Sequence, residues 1–314
     1  MSDVIRVAPH VAEAIAAARP VVALETTLVT HGLPRPHGLE AAAELERVVA
    51  DRGATPATIG ILDGAIRVGL SADELARLAA TPDVAKVNPG NLAAIIAAGV
   101  AGSTTVAATL LAAHRAGIRV MATGGIGGVH RGAEATGDVS ADLVALARHP
   151  VAVVCAGAKA VLDLPRTREL LETLGVPVLG CDTAEFPAFY RRSSGLPVDR
   201  RCADAAEIAA VLEVHFALAA TGVVVAHPVP ADHEMAAEAC AVAIDRALAD
   251  AEAAGVRGRA VTPFLLDRMR TLTGGASVAV NRALLAANAA LAAEVAVALA
   301  ARPSAVGGQS ASGS

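Results

Sequence analysis

The sequence predicts an α/β protein: one domain built as a three-layer α/β/α sandwich around a central, mostly parallel (mixed) sheet. Short apolar, β-branched runs alternate with alanine-rich stretches of helical length. The runs show no in–out alternation, as expected of strands buried on both faces. No proline- or glycine-rich linker and no internal repeat divides the chain. In order, Val21–Leu24, Thr58–Leu62, Ile118–Met121, Val151–Cys155, Val176–Leu179 and Val223–Ala226 read as strands: four to six residues bounded by Gly, Pro or a polar residue. Between them, His37–Asp51, Thr104–Ala116, Val139–Ala147, Arg166–Leu174 and Ala206–Ala219 carry helical patterns. Thr262–Leu272 and Ser277–Ala300 are expected to close the domain as helices packed on the sheet or on a neighbouring subunit. The domain is expected to span residues 1–301, with 302–314 a Ser- and Gly-rich disordered tail.

Composition excludes several classes of function. The chain has 314 residues, of which 54% are hydrophobic but 2% aromatic, with no Trp and Tyr190 as the single Tyr. The core must therefore be built from Ala, Val, Leu and Ile. A mean hydropathy of +0.52 raises the question of a membrane. Spanning one takes about 20 apolar residues, and the best stretch, Leu284–Ala301, carries Asn288 and Glu294. An amphipathic helix is the better reading. The N-terminus lacks the basic-then-apolar pattern of an export signal, so a soluble cytoplasmic protein is expected. A net charge of −5, from 26 basic and 31 acidic residues without long runs, lacks the footprint of a nucleic-acid binder. Cys155, Cys181, Cys202 and Cys240 form no C-x-x-C pair and read as free thiols.

Polar residues stand out where strands should end, the place at which open α/β sheets bind ligands. Glu25 directly follows the strand Val21–Leu24, with Thr26, Thr27 and then His31. A desolvated carboxylate there suits a general acid; the alternative is a cap or salt bridge. The segment Thr123-Gly-Gly-Ile-Gly-Gly-Val-His-Arg-Gly132 follows the strand ending at Met121. Its glycines allow close backbone approach and could turn N–H groups toward an anion, with His130 and Arg131 as added donors. It is neither the dinucleotide fingerprint nor a P-loop, and a tight turn remains the plain alternative. In Asp138-Val-Ser-Ala-Asp142, Asp138 and Ser140 read equally as helix caps or, for Asp138, as a lone carboxylate holding a divalent cation largely through water. Lys159 ends the apolar stretch Val151-Ala-Val-Val-Cys-Ala-Gly-Ala-Lys159. Burial disfavours its ammonium, and the neutral amine is a nucleophile toward carbonyl carbon. Lys86 could depress it further if near in space. A lysine snorkelling to the surface is the alternative.

Together these segments resemble the pseudouridine-5′-phosphate glycosidases, the family that includes the indigoidine-cluster protein of the same fold. The resemblance runs from about Val7 to Ala300. It is carried by Val-Ala-Leu-Glu25-Thr-Thr, His31-Gly-Leu-Pro-Arg-Pro, the run Ala122–Glu134, Asp138–Asp142 and Val153–Lys159, then by Thr262–Leu266, Thr273–Gly275 and Asn281. It implies that Glu25 is the proton donor and that Lys159 forms an imine with ring-opened ribose. Lys86, Val106, Ser140, Ala141 and Asp142 would contact substrate, and Thr123, His130 and Asn281 would line the site. Asp138 would bind manganese, and the subunits would form a homotrimer. The implied reaction releases uracil and ribose 5-phosphate from pseudouridine 5′-phosphate, reversibly.

The implied chemistry suits these residues. An N-glycoside leaves through an oxocarbenium-like state helped by two carboxylates. A carbon leaving group makes that route costly, and a lysine imine at C1′ supplies an electron sink instead. The sequence departs from the family where Val87-Asn88-Pro89-Gly90-Asn91 replaces a common Ser-Arg-Arg-Asp, removing two cations; either Arg35 or Arg131 compensates or phosphate affinity is lower. Another departure is Ala226-His227-Pro228, where Ala-Asn-Pro is common. Two rivals use the same features: a Schiff-base aldolase acting on a sugar phosphate, and a non-catalytic phosphometabolite-binding accessory protein. Uracil-dependent consumption of ribose 5-phosphate separates the glycosidase from both.

Overall fold

The computed structural model describes residues 4–33 and 36–302. Arg35 and nearly all of the tail expected to be disordered lie outside the described residues. Eleven strands join into one sheet: β1 Ile5–Val7, β2 Val21–Leu24, β3 Thr55–Leu62, β4 Ala65–Val68, β5 Ala85–Val87, β6 Gly102–Thr104, β7 Val120–Ala122, β8 Ala152–Cys155, β9 Val178–Cys181, β10 Arg200–Cys202 and β11 Val223–Ala226. Their order is β1-β4-β3-β2-β7-β8-β11-β9-β10, with β6 also paired to β3 and β5 to β6. All pairings are parallel except β3–β4 and β3–β6. The expected mixed, mostly parallel α/β architecture is what the chain adopts.

The six expected strands are present, with ends shifted by up to three residues. The five not anticipated, β1, β4, β5, β6 and β10, have three or four residues each. Runs that short hold no periodicity to read. One signal was available: Asp63-Gly64 joins β3 to β4, with φ of 52° and 67°. That is the left-handed pair that a two-residue hairpin turn requires.

Strands β2, β7, β8, β9 and β11 are buried along their whole length, because helices pack on both sides. The long helix Ala276–Ala300 lies against β2, β7 and β8, flanked by helices His37–Asp51 and Ala205–Leu218. Helix Val106–Ala116 packs on β2, β3 and β4 and against Ala141–Leu146. Ala276–Ala300 is long and apolar enough to cross a membrane by composition. Here it is a core helix, with Val280, Leu284, Leu285, Ala289, Ala292 and Ala296 buried. All four cysteines are free and buried.

Candidate active site

After β2 the chain moves to β3 on one side, and it later returns to place β7 on the other. That reversal opens a crevice at the carboxyl ends of β2 and β7, the switch point at which α/β sheets bind ligands. A cavity of about 430 Å³ sits there. Glu25 enters it one residue past β2 and Thr123 one residue past β7. The Thr27 hydroxyl donates to Glu25 Oε2 and the Thr123 hydroxyl to Oε1. Both carboxylate oxygens are thereby held, and a hydroxyl can rotate to accept when the carboxyl is protonated. The next residues form a π-helix, Leu28–Gly32, a wide turn common at functional sites, which carries His31 to the cavity wall.

The glycine-rich run follows β7, and four of its amides are turned to acceptors within the protein. Ile126 N–H donates to Gly157 O at 3.0 Å, and His130 N–H to Asp138 O at 3.0 Å. Gly127 N–H donates to Asp142 Oδ2 at 2.8 Å, and Val129 N–H to Thr167 Oγ1 at 2.9 Å. The glycines are required by packing. A Cβ on Gly127 would lie 2.2 Å from Ser140 Oγ, and one on Gly128 would lie 2.4 Å from Thr167 Oγ1. The loop is a tightly seated wall of the cavity. Arg131 does not line it: the guanidinium faces Asp245 at 3.8 Å on the outside.

The capping alternatives for Asp138–Asp142 separate cleanly. Ser140 caps helix Ala141–Leu146, accepting from Asp142 N–H at 3.2 Å. Asp138 does not cap it, and lines the cavity with Val139, Ser140 and Ala141. Asp142 is 6% exposed, and its second oxygen accepts from Ala107 N–H at 2.9 Å. That carboxylate therefore braces the glycine run against the start of helix Val106–Ala116, where Val106 reaches the cavity. Among the described residues no group of three or more His, Cys, Asp or Glu side chains could hold a metal. Asp138 by itself could hold a divalent ion only if water or a ligand supplied the remaining oxygens.

Lys159 follows β8 by four residues, and its N–H is fixed to Ile126 O at 3.1 Å. Lys86 comes from within β5. Burial first and the Lys159 charge second push the Lys86 ammonium down, opposed by the Asp142 and Glu25 carboxylates. Burial and then Lys86 lower His31, with a hydrogen bond to the Val84 backbone opposing. Burial lowers His130, with Asp138 opposing and both lysines reinforcing. These histidines are neutral donors or acceptors at pH 7. Burial pushes the Cys155 thiol up to about 12, so it stays protonated beneath the site.

The eleven residues that the family resemblance put in the site all line this cavity: Glu25, Lys86, Val106, Thr123, His130, Asp138, Ser140, Ala141, Asp142, Lys159 and Asn281; Arg131, the other donor read from the sequence, does not. The sequence reading named Thr27 beside Glu25 but gave it no role in the site. It missed Phe189, which lines the cavity at φ 62°, a strained value for a non-glycine residue. Asn88 and Asn91 occupy the cavity's other rim. Asn91 Oδ1 accepts from Asn88 N–H at 2.9 Å and its Nδ2 donates to Lys86 O at 3.1 Å, a neutral clamp on β5. Gly258, Thr262, Pro263 and Leu266 also line the cavity.

The family model for indigoidine synthase A like proteins matches residues 10–298. The pseudouridine-5′-phosphate glycosidase of Rhodospirillum centenum is 58% identical over 301 residues, covering 96% of this chain and 94% of that one. The enzyme of the same name from Methylobacterium nodulans is 55% identical over 293 residues, 93% and 87% of the two chains. Among solved structures, the prealnumycin C-glycosynthase AlnA in complex with ribulose 5-phosphate superimposes with a TM-score of 0.89 at 37% identity, covering 96% of this chain and 98% of that one. An indigoidine synthase A-like protein of Thermotoga maritima gives 0.86 at 34%, covering 95% and 97%.

Proposed function

The chain belongs to the indigoidine synthase A like family, and from that premise we propose that it is a pseudouridine-5′-phosphate glycosidase. It cleaves the C1′–C5 bond of pseudouridine 5′-phosphate to give uracil and ribose 5-phosphate, and runs reversibly. The observation that carries the reading is the convergence of one doubly held carboxylate, Glu25, and two lysines, Lys86 and Lys159, on one cavity at the sheet's switch point.

The neutral Lys159 Nζ bonds to C1′ as the C1′–O4′ bond breaks toward O4′, which takes up the proton lost by the new C–N nitrogen, leaving an open-chain sugar. Glu25 then delivers its proton to uracil C5. The C1′–C5 electrons restore the C5=C6 double bond, and the Lys159 nitrogen lone pair closes a C=N bond, so uracil departs neutral. Water adds to the imine, and the aldehyde of ribose 5-phosphate leaves with Lys159 regenerated. Thr27 and Thr123 hold Glu25 in line with C5 throughout. Lys86 and His130 meet the anionic and polar parts of the substrate, while Asn281, Val106, Ser140 and Ala141 shape its seat. Asp138 would hold a divalent ion, Mn²⁺, which when bound would offset phosphate charge. The enzyme works in the cytoplasm as a homotrimer, for which light scattering should return three times 31.2 kDa.

The deciding assay incubates pseudouridine 5′-phosphate with the protein and Mn²⁺ and follows free uracil. Uracil release, and in reverse a uracil-dependent loss of ribose 5-phosphate, supports the reading. Consumption of ribose 5-phosphate that ignores uracil points instead to an aldolase.

A further inference from the structure

Asn288 is an anomaly in an apolar helix. It lies midway along Ala276–Ala300, is 1% exposed and faces the sheet. A buried amide persists only where its hydrogen bonds are made, and all of the partners of Asn288 lead toward the active site. Its Nδ2 donates to Thr123 O at 2.9 Å and to Gly124 O at 3.4 Å. With that amine committed as donor, Oδ1 must accept, so His227 Nδ1, 3.2 Å away, carries the hydrogen. His227 is fixed in turn at the carboxyl end of β11, its N–H donating to Cys155 O at 2.9 Å. At the other end of the chain, Thr123 N–H donates to Val154 O at 3.0 Å and the Thr123 hydroxyl donates to Glu25 Oε1.

We propose that His227 and Asn288 are positioning residues for the proton donor. They fix the Thr123 backbone so that its hydroxyl aims Glu25 at the carbon to be protonated. The relay spans the carboxyl ends of β11, β7 and β2 and gives the unusual His227 a task. It rests on the glycosidase reading above. Neither residue lines the cavity, so each acts only through Thr123.

A purely structural Asn288 would serve protein stability, and its loss would harm every step alike. A positioning Asn288 serves only the step that uses Glu25. The test compares uracil release with a second reaction that needs Lys159 alone: borohydride trapping of ribose 5-phosphate on the protein. Asn288→Leu, of similar volume, should lower kcat for uracil release about 10- to 100-fold with KM nearly unchanged. Trapping on Lys159 should stay within about twofold. In a Thr123→Val background the same substitution should lower kcat by less than about threefold, because the two changes break one path. His227→Asn, which keeps an amide donor, should retain more activity than His227→Leu. Equal losses in cleavage and trapping, additive effects with Thr123→Val, or wild-type kcat in Asn288→Leu overturn the proposal. Should Asn288→Leu fold poorly, His227→Leu reads the same relay from its outer end. A wild-type protein that releases no uracil sinks the glycosidase reading and the relay together, an outcome distinct from an active wild type with indifferent variants.

Discussion

The two wings of the sheet supply the site in different ways. The parallel wing, β2 with β7, β8 and β11, is buried on both faces and delivers Glu25, Thr123, Lys159 and His227 within one to four residues of a strand end. The mixed wing, β3 with β4, β6, β5 and β1, is made largely of three- and four-residue strands. It delivers Lys86 from inside β5, held by the Asn91 clamp. The groups proposed for covalent and proton-transfer steps thus stand on strands buried on both faces, and the group proposed to meet charge stands on the lighter scaffold. Bond-making tolerates little displacement, whereas charge attraction falls off gradually with distance.

The largest expected effect separates the two lysines. Lys159→Arg keeps the charge but removes the nucleophilic amine, so uracil release should drop about 10³-fold or more and the borohydride adduct should vanish. Lys86→Met should lower kcat/KM about 10- to 100-fold, the worth of a charged contact, with the adduct still on Lys159. Peptide mass spectrometry that finds the adduct on Lys86 would invert the assignment. Next comes Asp138→Ala, expected to lose on the order of 10²-fold. Chelation should do the same to the wild type, and Mn²⁺ should restore the wild type only. Full turnover in metal-free protein removes Asp138 from the chemistry.

A packing comparison follows. Gly127→Ala drives a Cβ against Ser140 at 2.2 Å, and Gly90→Ala meets only the end of the Asn88 side chain at 3.2 Å. The first should destabilise by about 1–3 kcal/mol; the second should be close to neutral. Thermal unfolding of the two variants checks this, and equal shifts would erase the contrast between a rigid wall and a yielding rim.

The smallest effect is the pH dependence from His31. Its pKa is lowered below 6.5 in the fold, so its contribution to stability is complete above 6.5 and is lost as pH falls, when the unfolded chain takes up protons first. The slope is at most about 1.4 kcal/mol per pH unit for one proton. Lys86→Met removes one cause of the lowering, so the His31 ring should titrate at higher pH and the loss of stability between pH 7 and 5.5 should shrink. An unmoved His31 resonance would uncouple the two wings.

The alternation of apolar runs and alanine-rich helices determined the α/β architecture on its own, because strands buried on both faces leave a local mark in composition. The same local logic exposed Glu25 and Lys159: a charged residue at the end of an apolar run is conspicuous wherever the chain goes afterwards. The tertiary structure alone decided what depends on distant partners. Strands as short as β5 and β6 exist only by pairing. Glycines that looked like an anion cradle are small because Ser140 and Thr167 press against them. Asp142, conspicuous beside Ser140, spends both oxygens on backbone amides of two other segments. Asn288 counted in the sequence only as a flaw in an apolar stretch, since its partners lie 61 to 165 positions away. Hydrophobic burial acts residue by residue and can be read along the chain. Hydrogen bonds are directional and pairwise, so they become legible only once both partners are in place.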